Sequence, residues 1–193
     1  MSIQYYQDNA DDFFENTIGV DMEELYLPFV DLLPNNALIL DAGCGSGRDS
    51  KAFLDKGFRV DAIDASSEMV KRARIVTGLD VQLKRFDQVD DVERYDAIWS
   101  CASLLHVPEG QLLETIKVLS RSLKPNGVWY ASFKYGIKQR EKGGRLFTDM
   151  DECRFNYLTK NLVDLKLKSL WKTTDKRPDR DEIWLNIIIK KSH

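Results

Sequence analysis

The order of apolar and polar positions alternates along this chain between a period of two and a period near 3.6. Ala37 to Asp41 is a short apolar run ending on an acid, and it reads as a strand. A glycine-rich turn follows, then a helix-like segment from Ser46 to Lys56, closed by Gly57 in the position glycine favours after a helix. Phe58 to Ile63 reads as a second strand. Asp64 ends it, and Ser66 can cap a helix whose apolar face is Met69, Val70, Ala73 and Val76. Asp80 to Arg85 and Tyr95 to Ser100 read as the third and fourth strands. Pro108 begins a helix carrying Leu112, Leu113, Ile116, Leu119 and Leu123. Pro125-Asn126-Gly127 is a turn by composition, and Val128 to Phe133 a fifth strand. Repeated β-α-β order implies a parallel sheet covered on both faces, an α/β doubly wound class.

The two ends differ from this middle. Before the first strand, Met22, Leu25, Phe29, Leu32 and Leu33 fall three and four apart, a helix with one buried face that Pro34-Asn35-Asn36 stops. Tyr5, Tyr6, Phe13 and Phe14 alternate with acids ahead of it. After the fifth strand, Tyr135 to Arg145 is a charged, glycine-containing loop, and Thr148 can cap a helix that includes Phe155 and Leu158. Leu162 to Trp171 and Glu182 to Lys190 are strand-like with a short connection, so they read as an antiparallel hairpin.

The turn after the first strand carries the chemistry. Gly43, Gly45 and Gly47 alternate there, ahead of a helix whose first N–H groups point into the turn. This is a nucleotide pocket by layout, at the carboxyl end of a parallel strand. The dinucleotide fingerprint spaces its glycines differently: Gly47 comes one residue early, with Arg48 in the expected place. Asp41 also stands where it would repel a pyrophosphate. A ligand with a cationic end and no phosphate tolerates it. A glycine turn kept only for tight strand–helix packing is the structural alternative.

Composition narrows the partners. The chain has 193 residues, enough for one domain, and a net charge of −3, which disfavours nucleic acid. Cys44, Cys101 and Cys153 are odd in number and widely spaced, with no C-x-x-C metal signature. A reducing cytoplasm is the expected setting, no metal is expected, and the acidic, broken N-terminus does not read as a targeting peptide. No apolar run approaches a membrane span, so no membrane partner is expected.

Asp41-Ala42-Gly43-Cys44-Gly45-Ser46-Gly47 resembles the first motif of class I methyltransferases that use S-adenosylmethionine (SAM). The resemblance covers residues 37–134 by motif and the rest by element order. It implies a mostly parallel seven-stranded sheet whose last strand runs antiparallel between the fifth and sixth. It implies one domain over 1–193, with 1–34 as a lid or docking segment, 37–134 as the SAM core and 135–193 on the substrate side. It further implies that Asp64, beside Ala65, accepts hydrogen bonds from the ribose, and that Asp87 accepts one from the adenine amino group with Phe86 against the ring. Asp41 orients the turn or reaches the methionine end. Arg48 either pairs with the SAM carboxylate or is a solvated first-turn arginine. The stretch Ser100 to His106 lines the pocket near the transferred methyl group, with His106 a candidate general base or a packing residue. Cys101 reads as a buried small hydrophobe.

For the acceptor, Arg140 and Arg145 are candidate anion contacts, while Tyr5, Tyr6, Phe133 and Tyr135 are candidate aromatic walls. The expected reaction is in-line methyl transfer from SAM to a small molecule at O, N, S or a chalcogen, leaving S-adenosylhomocysteine (SAH). The continuation Gly47-Arg48-Asp49 is loosely similar to the small tellurite-resistance-like bacterial members. A non-catalytic SAM-binding partner subunit, an RNA methyltransferase and a nicotinamide-dependent oxidoreductase are the competing readings.

Overall fold

The computed structural model describes residues 2–160, 162–177 and 180–192. Seven strands form one sheet: β1 (Leu38–Ala42), β2 (Arg59–Asp64), β3 (Gln82–Leu83), β4 (Tyr95–Ser100), β5 (Leu123–Lys134), β8 (Leu165–Thr174) and β9 (Ile183–Lys191). Their spatial order is β3-β2-β1-β4-β5-β9-β8. The first five run parallel, and β9 lies antiparallel between β5 and β8. This is the arrangement the resemblance implied. Strand order reverses between β1 and β4, and ligands of open α/β sheets bind in the crevice such a reversal leaves at the strands' carboxyl ends.

Alternate residues of the central strands feed two cores, as the two-residue repeat of a strand requires. Leu40, Ile98, Trp129 and Ile189 pack on one face with Leu112, Ile116 and Leu119 of α6 (Glu109–Ser122) and Phe155 of α7 (Glu152–Thr159). Ile39, Trp99, Tyr130 and Ile188 pack on the other. There they meet Phe29 of α3 (Glu23–Val30), Phe53 of α4 (Arg48–Asp55) and Val70 and Ala73 of α5 (Ser67–Thr77). Trp99 and Tyr130 stack with ring centroids 3.8 Å apart. Ser66 caps α5 by accepting from the Met69 N–H, as expected.

Several expectations are corrected. The N-terminal stretch forms two helices, α1 (Ser2–Asp8) and α2 (Ala10–Ile18), because Asn9 interrupts one helical run. Leu32 lies outside α3 and is exposed. The third strand shrinks to Gln82–Leu83. The turn Pro125-Asn126-Gly127 does not precede β5 but interrupts it. Leu123 already pairs with Tyr95 and Val128 with Ala97, so the residues between them bulge out. The charged loop after β5 is in fact a second, two-stranded sheet of β6 (Gln139–Lys142) and β7 (Arg145–Thr148). Gly143 and Gly144, at φ +56° and +74°, make its tight turn, the pair of left-handed positions such a hairpin needs. Thr148 does not cap α7; Asp151 does, and the Thr148 hydroxyl donates instead to the Val107 carbonyl. Among the described residues, no helix is long and apolar enough to cross a membrane.

Candidate active site

A cavity of about 910 Å³ opens over the carboxyl ends of β1, β2, β4 and β5. Small-molecule sites fall in the range of roughly 300–1,000 Å³. The glycine turn forms its floor. Gly43 has φ +85°, and a Cβ there would come 2.5 Å from Ser103 Cβ, so only glycine lets the turn sit this close to the loop after β4. Ser103 donates to the Ala42 carbonyl at 2.7 Å, and the N–H groups of Gly43 and Cys44 both donate to the Ile63 carbonyl. The turn is thereby tied to both neighbouring strands.

Asp64 stands at the end of β2, half-buried on the cavity wall. Its two carboxylate oxygens accept from the N–H of Gly45 at 2.9 Å and of Ser66 at 2.8 Å. Burial pushes its pKa up, against the pull of these N–H groups. Each oxygen keeps lone-pair capacity for a further donor from the cavity side. Holding these two backbone N–H groups and facing a ligand are thus geometrically compatible for Asp64. Ala65 and Cys44 also line the cavity. Phe86 and Asp87 lie in a 3₁₀ turn, Phe86–Gln88, on the same wall. The tip of the Phe86 ring would lie 3.4 Å from a Cβ at Gly43. Asp87 is exposed and bound to Arg85 at 2.7 and 2.9 Å, which holds its carboxyl below the usual range.

The remaining candidates are divided between the cavity wall, the interior and the outer surface. Asp41 faces inward and does not line the cavity. Its carboxylate accepts from Ser50 at 2.5 Å, and burial beside Asp49 raises its pKa to about 8. Of its two expected roles, orienting the turn matches this placement. Gly47 also lies off the cavity, where a Cβ would press on Ala73 at 3.0 Å. Arg48 lines the cavity but is not solvated: it reaches the buried Asp49 at 2.6 and 3.1 Å, so its charge is already matched. Ser100 points into the core, accepting from Trp129 Nε1 at 3.0 Å; Cys101, Ala102 and Ser103 face the cavity instead. Phe133 is a core residue. Tyr135 is outside, held by Glu152 at 3.0 Å and Lys172 over its ring. Arg140 pairs with Asp149 at 2.7 Å, away from the cavity. Tyr5 packs under Arg145 without lining the cavity, while Tyr6 and Arg145 do line it. Burial pushes the Cys101 thiol up to about 12 and the Cys44 thiol well above its ordinary value, so neither is a thiolate at neutral pH.

His106 is enclosed by residues far away in sequence. Its Nδ1 lies 2.7 Å from the Leu146 carbonyl, which can only accept, so Nδ1 carries the proton. Nε2 then accepts from the Tyr6 hydroxyl at 2.7 Å. Burial lowers the pKa from 6.5 to about 4, with Arg145 and Lys134 adding to the effect, so the imidazole is neutral at pH 7. An unfolded histidine takes up its proton first as pH falls. Stability associated with His106 is therefore whole above pH 6.5 and declines toward pH 4, by roughly 2 kcal/mol at pH 5. The melting temperature of His106→Gln should fall less steeply than wild type between pH 7 and pH 5. Parallel slopes in the two proteins would mean that this imidazole titrates normally.

The N-terminal helices roof the cavity. Phe13 comes within 3.3 Å of a Cβ position at Gly45, and Tyr6 meets Phe13 edge-on at 4.9 Å. Gln7 accepts from Ser66 Oγ at 2.5 Å and from the Glu68 N–H at 3.0 Å, fastening α1 to the start of α5. Gln7 was not among the expected site residues, nor were Lys134, Phe147 and Trp184 on the opposite wall. A polar residue in a helix carried no signal for Gln7. Lys134 offered one: a charge ending an otherwise apolar strand, here only 7% exposed and joined to Glu182.

Residues 39–127 match a family model described as a methyltransferase domain. The chain is 33% identical over 127 residues to the 2-methyl-6-phytyl-1,4-hydroquinone methyltransferase of Synechocystis, across 62% of this chain and 39% of that protein. It is 35% identical over 104 residues to a ubiquinone biosynthesis O-methyltransferase of Xanthomonas oryzae pv. oryzae, across 50% of this chain and 42% of that one. The chain therefore spans less than half the length of these two relatives. It also shares its fold with the 1,6-didemethyltoxoflavin-N1-methyltransferase of Burkholderia thailandensis, solved with 1,6-didemethyltoxoflavin and SAH bound. That likeness has a TM-score of 0.78 and 20% identity over 100% of this chain and 86% of the other.

Proposed function

We propose, from the premise that residues 39–127 are a class I methyltransferase domain, that this protein transfers the methyl group of SAM to a small molecule. One observation carries the reading: Asp64 joins the glycine turn to the start of α5 and keeps acceptor capacity on the cavity wall. In this reading Asp64 receives the ribose hydroxyls. The turn from Gly43 to Gly45 accommodates the methionine end, and Phe86 with Asp87 the adenine. The close approach at Gly43 fits such a group, because a Cβ would narrow the floor on which it rests. When bound, SAM supplies an already activated methyl group. The chain's own work is to orient the acceptor and exclude water, which can supply roughly 7–11 kcal/mol.

The division of labour follows. Residues 37–134 hold the cofactor, 1–34 cover it, and 135–193 furnish the acceptor wall, all as parts of one domain. His106 serves this wall as a neutral imidazole whose acceptor nitrogen is taken by Tyr6. It can act as a base only on a proton delivered through that hydroxyl or after Tyr6 leaves it. Similarity to enzymes named as a hydroquinone methyltransferase and a ubiquinone biosynthesis O-methyltransferase supports a small-molecule acceptor. The net charge of −3 disfavours RNA.

Calorimetric titration with SAM, SAH and NADH tests the cofactor. The expected result is micromolar binding of the two adenosyl ligands and none of NADH. Absence of SAM and SAH binding would sink the reading. Retention of radioactive methyl on members of a small-molecule panel would then identify the acceptor.

A further inference from the structure

We propose, resting on the methyltransferase reading, that the acceptor carries a carboxylate group and that Arg145 holds it. Arg145 opens β7 and faces the cavity. Its guanidinium carbon lies 4.2 Å from the centre of the Tyr5 ring and 5.2 Å from that of Phe147. These rings fix the guanidinium plane and withdraw it from bulk water. Its Nε is buried and has no hydrogen-bond partner. A buried charged donor left unpaired is unfavourable unless something outside the chain completes it.

All but one of the other cations around the cavity are already matched, among the described residues. Arg48, Lys84, Arg85, Lys134, Lys176 and Arg177 each have a carboxylate within 4.0 Å. Among the described residues, no carboxylate comes that close to Arg145. Glu141, on the adjoining strand, is exposed and makes no ion pair with it, and Arg180, also without such a partner, stands out in solvent. Among the described residues, Arg145 is thus the one inward cation of this wall whose charge the fold leaves for a ligand.

The surroundings select the anion. One unmatched guanidinium balances one negative charge. Its neighbours Tyr6 and His106 are neutral, and Tyr5 and Phe147 present ring faces. A planar monoanion suits the edge of a stacked guanidinium, which can donate to two oxygens at once. A phosphate dianion would bring a second charge into the same partly dry corner without a partner. The carboxylate is recognised together with the aromatic or apolar body next to it.

The test uses the full chain saturated with SAH and three probes: benzoate, benzamide and phenyl phosphate. The Arg145 Nε–H resonance is identified by its disappearance in Arg145→Lys. Benzoate should shift it saturably, and benzamide should not. In Arg145→Gln, benzoate affinity measured by calorimetry should fall at least tenfold while SAH affinity stays within twofold of wild type. A resonance unmoved by benzoate, an equal response to benzamide, or tighter binding of phenyl phosphate would overturn the proposal. If Arg145→Gln does not fold, the wild-type resonance decides alone. Failure of SAH to bind, with benzoate still shifting the resonance, would remove the methyltransferase reading and leave the anion site.

Discussion

Asp64→Ala should weaken SAH binding at least tenfold, and on the order of a hundredfold if both ribose hydroxyls are held. A hydrogen bond to a charged group contributes about 1.5–3 kcal/mol, and each 1.4 kcal/mol is a factor of ten. The same carboxylate accepts from Gly45 and Ser66, so its removal also frees two backbone donors beside the floor of the cavity. That second loss should cost stability as well, by about 1–2 kcal/mol. The two effects separate by experiment. Thermal unfolding of the unliganded variant reports the backbone loss, and calorimetry on the folded variant reports the ligand contact. Asp64→Asn retains one acceptor oxygen and should fall between alanine and wild type. A folded Asp64→Ala that binds SAH within threefold of wild type would remove this residue from the ribose.

Asp49→Ala should be the most destabilising substitution near the site. Asp49 is 6% exposed and gathers three partners at once: Arg48 at 2.6 and 3.1 Å, the Tyr26 hydroxyl at 2.5 Å and Trp99 Nε1 at 2.8 Å. Burial pushes its carboxyl up, but the Arg48 charge and these hydrogen bonds outweigh it and hold the pKa below the ordinary value. Removing one side of such a pair leaves an uncompensated buried charge, which costs about 3–5 kcal/mol. For a chain of this size, that corresponds to a melting temperature lower by about 6–20 °C. Replacing both members, Arg48→Met with Asp49→Leu, should recover much of the loss, because the penalty belongs to the stranded charge rather than to the missing bond. A single variant melting within about 2 °C of wild type would show that Arg48 simply reaches solvent.

These two acids illustrate how differently the site could be read beforehand. Asp64 announces itself by position, at the end of an apolar run and before a capping serine. Asp49 sits one residue from Arg48 and gave no sign that the pair closes on itself in the interior. The alternative of a solvated Arg48 failed because its environment is supplied through Asp49 by Tyr26 and Trp99, from elements distant in the chain. Ser100 failed for a related reason. Nearness to the strand end suggests the cavity for it, but the two-residue repeat of β4 sends it to the core, and Ser103, in the loop beyond the strand, faces the turn instead.

What the amino-acid order alone determined is what depends on local periodicity and backbone permission: the β-α-β succession, the glycine turn, the cap at Ser66 and the terminal hairpin. Those signals are written within a few residues of where they act. The tertiary structure alone decided which side chains share the cavity. Tyr6 meets His106 across 100 positions, and Gln7 fastens to α5 across 59 or more. Arg145 lies on Tyr5 because β6 and β7 pair into a hairpin where charge suggested a loop. Such contacts arise from chain crossings and strand register, and a one-residue change of register would reverse which face each side chain serves.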